Sequence, residues 1–305
     1  MIPNTKIKFV FFGTGDFAAK ILDIIHKKDL CPALIVTTSD KPQGRKMEIK
    51  PNPVKIWAQE NSKVIIQPKE LSEIRHIFAA AYDVFVVADY GNIIPSHILN
   101  IPNYGCLNIH PSLLPKFRGS SPIQSFILSE EQKTGVTIIF MDEQVDHGPI
   151  VAQHNLDTKC PSGHLVSKLS YKELEEKLAE LGAELLIEIL PKWIKQEIKP
   201  KEQNHNQATY TQKIRKEYGL INLNDSPKKN MKKIQAFTPW PGAYFFARKN
   251  SKEMRIIITE AEIIDGKLII QKIKPEGKNE MPLQDFLRGN PDLESQINSL
   301  LQKNL

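Results

Sequence analysis

The chain has 305 residues, of which 41% are hydrophobic and 25% are charged, as in ordinary globular proteins, and its length suffices for two domains. No apolar run approaches the roughly 20 residues that a membrane-spanning helix needs, and the first residues lack the layout of a signal peptide. The three cysteines are far apart and form no CxxC pair. This spacing favours reduced thiols in a cytoplasmic protein and argues against a cysteine-based metal site.

The net charge of +6 is distributed unevenly along the chain. Residues 1–190 carry 20 basic and 22 acidic side chains, whereas residues 191–305 carry 21 basic and 13 acidic ones. A basic C-terminal third indicates a polyanionic partner such as a nucleic acid. The alternative is a lysine-rich surface that only contacts solvent.

Short apolar runs alternate with segments of helical periodicity over the first half of the chain. Strands are predicted at residues 8–12, 33–37, 64–66, 84–88, 106–109 and 136–140, and helices at 18–25, 53–60, 71–81 and 173–189, the last ending at Pro191. Alternation of this kind predicts an α/β fold with a parallel sheet covered on both faces.

The character of the sequence changes after a polar stretch at residues 192–208. Strand-like runs at 255–259, 262–264 and 267–273 follow, and the Asp265-Gly266 pair predicts a hairpin between the last two. A helix is predicted at 227–236, together with a helical tail. We therefore expect three parts: a catalytic domain at 1–190, a linker at 191–208 and a β-rich domain at 209–305.

Two weaker signals concern cofactors. Gly13-Thr14-Gly15 follows the first strand and is similar to a dinucleotide fingerprint, but the second strand lacks a convincing acidic residue for the ribose. A tight turn from strand to helix also favours glycine without any cofactor. The eight histidines form no HxxxH or HExxH pattern, so we expect no metal site.

Three side chains suited to catalysis lie on or after two successive predicted strands, at 106–109 and 136–140. Asn108 and His110 lie two positions apart on a predicted strand and therefore share a face at its carboxyl end. Asp146 follows the next predicted strand and is expected at the same edge. An amide, an imidazole and a carboxylate in one cleft suit the attack of an amine on a carbonyl, because the first two can stabilise an oxyanion and the third can stabilise the protonated imidazole. The alternative is that the histidine is purely structural.

The sequence around these residues resembles the formyltetrahydrofolate-dependent formyltransferases. The resemblance lies in residues 108–119, 135–137 and 146–150. It implies that Asn108, His110 and Asp146 are catalytic, that 10-formyltetrahydrofolate is the cosubstrate and that no metal takes part. It also implies a folate site formed by Ser112, Leu113, Leu114 and Pro115, with pterin contacts from Asp89, Tyr90 and Gly91 and from Glu143, Gln144 and Val145.

Within this family the chain most resembles the members that act on methionyl-tRNA, through residues 11–18, 40–55, 86–95 and 236–243. The resemblance implies a Rossmann-like domain with a parallel-dominated sheet, a smaller OB-like β-barrel, charged initiator methionyl-tRNA as partner and a cytoplasmic location. We expect a monomer. Expected tRNA contacts are Arg45, Lys41, Lys46 and Lys50 on a basic loop, and Lys228, Lys229, Lys232 and Lys233 on a predicted helix.

The sequence departs from the family pattern at four places. Gly15 replaces the more usual proline, Asp89 replaces a small residue, and His147 follows Asp146 where a small or hydroxylated residue is expected. The barrel segment between Glu260 and Gly277 is also short, as if two strands were missing. Three alternative functions stay open: formyl transfer to a small amine (glycinamide ribonucleotide or a nucleotide-linked amino sugar), a non-enzymatic RNA-binding protein, and a nicotinamide oxidoreductase.

Overall fold

The computed structural model describes residues 7–43, 47–78, 82–156, 169–249, 252–294 and 297. The described residues fall into two compact units. The first lies within Met1–Gly119, Lys133–Asp157 and Glu175–Tyr210, and the second within Ser120–Gln132, Thr158–Leu174 and Thr211–Leu305. Residues of the predicted linker up to Tyr210 therefore belong to the first unit, and a short helical insertion after Gly119 belongs to the second.

Each predicted strand and helix has a counterpart in the structure, and further strands and helices lie between them. The strands are β1 (Phe9–Gly13), β2 (Leu34–Val36), β3 (Lys41–Gln43), β4 (Glu48–Lys50), β5 (Ile65–Ile66), β6 (Val84–Ala88), β7 (Cys106–His110), β8 (Gly135–Phe140), β9 (Ile150–Asn155), β10 (Ala243–Lys249), β11 (Lys252–Ile264), β12 (Lys267–Pro275) and β13 (Met281–Pro282). The α-helices are α1 (Asp16–Lys27), α2 (Pro53–Glu60), α3 (Arg75–Phe78), α4 (Ser96–Leu99), α5 (Pro122–Leu128), α6 (Tyr171–Ile194), α7 (Pro227–Phe237) and α8 (Leu283–Arg288).

The first unit is built on a seven-stranded sheet in the order β5-β2-β1-β6-β7-β8-β9. The four pairs from β5 to β7 are parallel, and the pairs β7-β8 and β8-β9 are antiparallel. The predicted parallel-dominated α/β sheet is confirmed. The antiparallel pairs at one side have a consequence for the site, because β8 runs in the direction opposite to β7.

Both faces of this sheet are covered. On one face the strands contribute an apolar cluster with segments between β5 and β7, whose members are Val10, Phe12, Leu34, Val36, Leu71, Phe78, Tyr82, Phe85, Val87, Ile94, Ile98, Leu99 and Cys106. On the other face α6 packs closely, since a Cβ atom at Gly182 would lie 2.9 Å from Ile109 and 3.5 Å from Val136. Cys106, Asn108 and His110 therefore share one face of β7 and Ile109 lies on the other.

Three predicted elements differ from the structure. The helix α6 does not end at Pro191 but continues to Ile194, because the Pro191 carbonyl still accepts from the Lys195 amide and completes the last turn. The predicted helix at 71–81 begins as a 3-10 turn at Leu71–Ile74 before α3, and residues 79–81 lie outside the described residues. The strands predicted at 255–259 and 262–264 form one strand, β11, whose pairing with β12 is irregular around Glu260.

The second unit contains a four-stranded antiparallel sheet in the order β10-β11-β12-β13. The predicted β-rich domain is confirmed, and among the described residues no pairing between strands closes this sheet into a barrel. Its core contains Ile256, Ile258, Ile273 and Phe286. The tight β11-β12 turn at Asp265-Gly266 has positive φ at both residues, as the predicted hairpin requires. Within the described ranges, no helix has both the length and the apolar character needed to cross a bilayer.

Candidate active site

The site lies where the central parallel strands end. β1, β6 and β7 run in the same direction, so Gly13, Ala88 and His110 lie at one edge of the sheet. Open α/β sheets place ligands at the carboxyl ends of their strands. The residues that follow these three strands are therefore the ones that can form a cleft.

Asn108, His110 and Asp146 are brought together. The Asn108 Nδ2 donates to Asp146 Oδ1 at 3.0 Å, and His110 Nδ1 lies 3.6 Å from the same oxygen. The other carboxylate oxygen, Oδ2, accepts from the Gly119 backbone N–H at 2.8 Å. The His110 residue is 4% exposed. The predicted grouping of an amide, an imidazole and a carboxylate is present in one small volume.

The route by which Asp146 arrives differs from the expected one. A parallel β8 would bring residue 146 to the edge where β7 ends, but β8 is antiparallel and its last residue, Phe140, pairs with Leu107 near the start of β7. The loop after β8 therefore extends along the face of β7 before its carboxylate reaches His110. Two residues permit this path. Asp146 has a left-handed backbone with φ of 50°, and a Cβ atom at Gly148 would lie 1.9 Å from the Phe140 carbonyl oxygen.

A backbone carbonyl orients the His110 ring. His110 Nε2 lies 2.9 Å from the Phe117 carbonyl oxygen, which can only accept, so this nitrogen carries a proton. In the neutral ring Nδ1 is then the unprotonated nitrogen, and it is the one that faces Asp146. The ring can therefore take up a second proton at Nδ1, beside a carboxylate that stabilises the resulting cation.

The predicted folate turn, residues 112–115, follows β7 directly and is held rigidly. The Thr137 hydroxyl donates to the Ser112 carbonyl at 2.6 Å and accepts from the Leu114 amide at 3.1 Å. The Gln153 side chain donates to the Leu114 carbonyl at 2.9 Å. Leu113 and Pro115 lie on the same turn. Its backbone is thus fixed by side chains of β8 and β9, and a ligand bound there would meet a preformed surface.

The other predicted pterin contacts lie on two further loops. Tyr90 and Gly91 follow β6, and the Tyr90 ring packs at 5.4 Å from Phe12. Glu143, Gln144 and Val145 belong to the loop that delivers Asp146, and Val145 is 61% exposed. The Gln144 amide donates to the Asp142 carboxylate at 2.9 Å. The first loop follows the strand next to β7, and the second carries Asp146 itself.

Asp89 and Gly15, two departures from the family pattern, are in contact. A Cβ atom at Gly15 would lie 2.0 Å from Asp89 Oδ2, so the glycine makes room for the carboxylate. Asp89 has a φ of 44°, and its residue surface remains exposed. Dense surrounding protein and the charge of Asp16 raise the pKa of Asp89 to about 6, against a smaller opposing effect of the Gly15 amide.

The predicted tRNA contacts have mixed surroundings. Arg45 and Lys46 lie outside the described residues, and Lys41 and Lys50 lie on the β3-β4 hairpin, where Met47 and Ile49 are also exposed. On α7 every predicted lysine has a partner within the second unit: Lys228 and Lys232 bind Glu130, Lys229 binds Asp225, and Lys233 donates to the Leu220 carbonyl. A phosphate would compete with these partners.

Four polar residues around the site have no assigned role in the sequence interpretation. Thr137 and Gln153 hold the turn at 112–115. Gln203 is buried against the Asp146 carbonyl, and Arg118 is buried against Gln203. Arg118 and Thr137 both lie in motifs that carry the family resemblance, at 108–119 and 135–137. Gln203 lies in a polar stretch typical of solvated linkers, so no local signal indicates its burial. Among the residues that the structure describes, no three His, Cys, Asp or Glu side chains form a group suited to a metal.

Comparisons with known proteins identify the family of the chain. Residues 5–190 match the family model described as formyl transferase, and residues 213–267 match that of the formyl transferase C-terminal domain. The methionyl-tRNA formyltransferase of Carboxydothermus hydrogenoformans is 37% identical, over 93% of this chain and 96% of that protein.

Two solved structures share the fold. The methionyl-tRNA formyltransferase from Clostridium thermocellum superposes with a TM-score of 0.59 at 18% identity, over 88% of this chain and 98% of its own. The sugar 3N-formyl transferase WlaRD, solved in the presence of dTDP and 5-N-formyl-THF, has a TM-score of 0.57 at 20% identity, over 87% of this chain and 93% of its own. From its sequence similarity over nearly the whole length, the chain belongs to the methionyl-tRNA formyltransferase family.

Proposed function

We propose that this protein transfers the formyl group of 10-formyltetrahydrofolate to the α-amino group of charged initiator methionyl-tRNA. The observation that carries the proposal is the convergence of Asn108, His110 and Asp146 on one point at the carboxyl end of β7. Membership of the family supports the reaction class, and the similarity to methionyl-tRNA formyltransferases across both family models supports the acceptor.

In the proposed reaction the acceptor amine attacks the formyl carbon, a C–N bond forms, and the carbonyl oxygen becomes an oxyanion. Asn108 donates a hydrogen bond to that oxygen, since its amide group is held in place by the Asp146 carboxylate. The amine proton is lost during this addition, and we infer that it passes to His110 Nδ1, the unprotonated nitrogen of the neutral ring. Asp146 stabilises the imidazolium, which then returns a proton to the folate nitrogen as the C–N bond to the carrier breaks.

We propose that the formyl donor occupies the cleft between the turn at 112–115, the loop after β6 and the loop at 143–145. The rigid hydrogen bonding of the first of these to Thr137 and Gln153 favours a preorganised site. WlaRD was solved with 5-N-formyl-THF, which supports a reduced folate as donor. The cytoplasmic location follows from the proposed substrate.

A competition between acceptors tests the proposed function. Purified protein is incubated with 10-formyltetrahydrofolate labelled in the formyl group, and with either methionyl-tRNA or a nucleotide-linked amino sugar. We expect label to appear in the methionyl-tRNA at a kcat/KM at least 100-fold above that for the sugar, a difference of about 2.7 kcal/mol. Preferential labelling of the sugar would overturn the assigned acceptor, and no labelling of either would overturn the assigned reaction.

A further inference from the structure

The segment at residues 117–119 contacts two members of the triad at once. The Phe117 carbonyl accepts from His110 Nε2 at 2.9 Å, and the Gly119 amide donates to Asp146 Oδ2 at 2.8 Å. Both contacts are made by backbone atoms, so their positions depend on how the segment itself is held. A displacement of this segment would move the imidazole and the carboxylate out of alignment together.

The side chain between these two contacts is Arg118, which is 1% exposed. Its guanidinium donates to Gln203 Oε1 from Nη2 at 2.7 Å and from Nε at 3.3 Å, and Nη2 also donates to His205 Nδ1 at 2.9 Å. Its backbone amide donates to the Thr209 carbonyl at 2.8 Å. Burying a guanidinium is costly unless its donors are satisfied. The side chains of Gln203 and His205 therefore satisfy the buried guanidinium with neutral acceptors, and together they form the Arg118 cradle.

Gln203 connects this cradle to the loop that carries Asp146. Because its Oε1 is held by Arg118, its amide nitrogen is directed to the loop, where it donates to the Asp146 carbonyl at 3.0 Å and to the Gly148 carbonyl at 2.7 Å. The residue between the two anchored ends of this loop segment is His147. Asp146 has a φ of 50°, and a left-handed backbone at a residue other than glycine persists only where its surroundings fix it.

We propose that Arg118 and Gln203 are positioning residues of the formyl transfer site, acting as one clamp on the backbone of Asp146. The clamp sets the distance between Asp146 and His110 from both sides: through Gly119 on the carboxylate and through Gln203 on the main chain. The proposal rests on the proposed function of the triad. It assigns a catalytic consequence to two residues that touch no reacting atom.

A positioning role, unlike a purely structural one, predicts a variant that loses activity while keeping its stability. Gln203→Glu keeps an acceptor for Arg118 and adds an ion pair, so the fold is retained, but a carboxylate cannot donate to the Asp146 and Gly148 carbonyls. We expect this variant to unfold within a few degrees of the wild type and yet to lose kcat about 10- to 100-fold, since small misplacements of catalytic groups have effects of this size. The KM for the formyl donor is expected to stay within about twofold.

A matched control is available in the second unit. Asn230 is a buried amide that donates to two backbone carbonyls, those of Asn222 and Asp225, as Gln203 does to Asp146 and Gly148. Asn230→Ala removes a similar pair of hydrogen bonds away from the triad. At temperatures where the variants are folded, we expect its kcat at saturating tRNA to equal that of the wild type.

Two measurements on the full-length protein decide the matter. The first is kcat for Gln203→Glu, Arg118→Lys and Asn230→Ala, and for the double variant that combines Gln203→Glu with Asp146→Asn. In the double variant we expect Gln203→Glu to cause no loss beyond that of Asp146→Asn, because its effect passes through Asp146. The second is amide hydrogen exchange at Gly119 without substrate, expected to be at least about tenfold faster in Gln203→Glu and unchanged in Asn230→Ala.

The outcomes separate the proposals. Wild-type kcat in Gln203→Glu, multiplying losses in the double variant, or unchanged exchange at Gly119 would each overturn the clamp. A wild-type protein that formylates no amine would overturn the proposed function, whereas faster exchange at Gly119 in Gln203→Glu would still support the clamp.

Discussion

The buried network around Asp146 and the lysines of α7 use polar side chains in opposite ways. In the network, Arg118 and Gln203 are almost fully buried, and their hydrogen bonds end on the backbone of a catalytic candidate. On α7, Lys228 and Lys232 converge on Glu130, which is exposed. Exposed ion pairs contribute little to stability and exchange readily with other partners. Burial therefore identifies the first region as fixed for one geometry and the second as available to a competing anion.

In the comparison between the buried network and the lysines of α7, the largest effect on kcat is expected from a change at Asp146. Asp146→Asn keeps the shape of the side chain but removes the charge that stabilises the protonated ring. We expect kcat for formyl transfer to fall by about three orders of magnitude, while equilibrium binding of the formyl donor changes less than about threefold. A variant with more than a tenth of the wild-type turnover, a loss of only about 1.4 kcal/mol, would remove Asp146 from the mechanism.

The next effect is expected at Gly148, on the same loop. Gly148→Ala would place a Cβ atom 1.9 Å from a backbone oxygen, so the loop must shift. We expect a stability loss of about 1–3 kcal/mol and a fall in kcat, measured by thermal unfolding and by single-turnover formyl transfer. Gly266→Ala, at a hairpin turn where a Cβ atom meets nothing within 4 Å, should lose stability but keep its kcat. Equal kcat losses in both variants would contradict a specific role for the loop.

A smaller effect tests the lysines of α7. The hydrogen bonds from Lys232 and Lys228 lower the pKa of Glu130 to about 2, so this carboxylate is ionised at neutral pH and occupies both cations. Glu130→Gln should free the exposed Lys228 for phosphate, whereas Lys232 keeps its bond to the Ser129 carbonyl. We expect the KM for tRNA to fall about two- to threefold and its salt dependence to steepen by roughly 0.7–0.9 for the new contact. Glu188→Gln, which frees Lys192 on α6, is the control. If the KM for tRNA kept the wild-type dependence on salt concentration, these lysines would not contact the tRNA.

The smallest effect is expected at Asp89. The dense protein around the Asp89 carboxyl and the charge of Asp16 raise its pKa in the folded protein to about 6, above the ordinary value of 3.8. Ionisation therefore opposes folding, and the stability present below pH 3.8 is lost as the pH rises through 6. Asp89→Asn should melt at a higher temperature than the wild type above pH 6, by about 2–4 °C after allowance for solvent exposure, and at a similar temperature near pH 4. Asp265→Asn, at an exposed turn, is the control, and a pH-independent difference at Asp89 would contradict this account.

How much the sequence predicts depends on whether the responsible interaction is local. The strands at β1, β6 and β7 are predicted almost residue by residue, because short apolar runs bounded by polar residues are a local signal. Asn108 and His110 are predicted on one face of a strand because the period of a strand is also local. The direction of β8 is not predicted, because the pairing of strands is set by tertiary contacts. Asp146 therefore reaches the site by an unexpected path.

Gln203 shows the other limit. It lies 55 residues from Gly148 and in a stretch whose composition is that of a linker, so its burial depends on contacts that no sequence window contains. The contact between Gly15 and Asp89 is intermediate. Both positions depart from the family pattern in the sequence, but only the structure shows that one departure makes room for the other.

The most direct test of the central claim is whether the triad acts as a unit. Single-turnover formyl transfer to methionyl-tRNA is measured for the wild type, His110→Ala, Asp146→Asn and the double variant, at saturating donor. If Asp146 acts through the His110 ring, the double variant should be about as slow as His110→Ala alone, as expected for residues that work together. Losses that multiply, with the double variant slower than either single variant by the full product of their effects, would contradict the account.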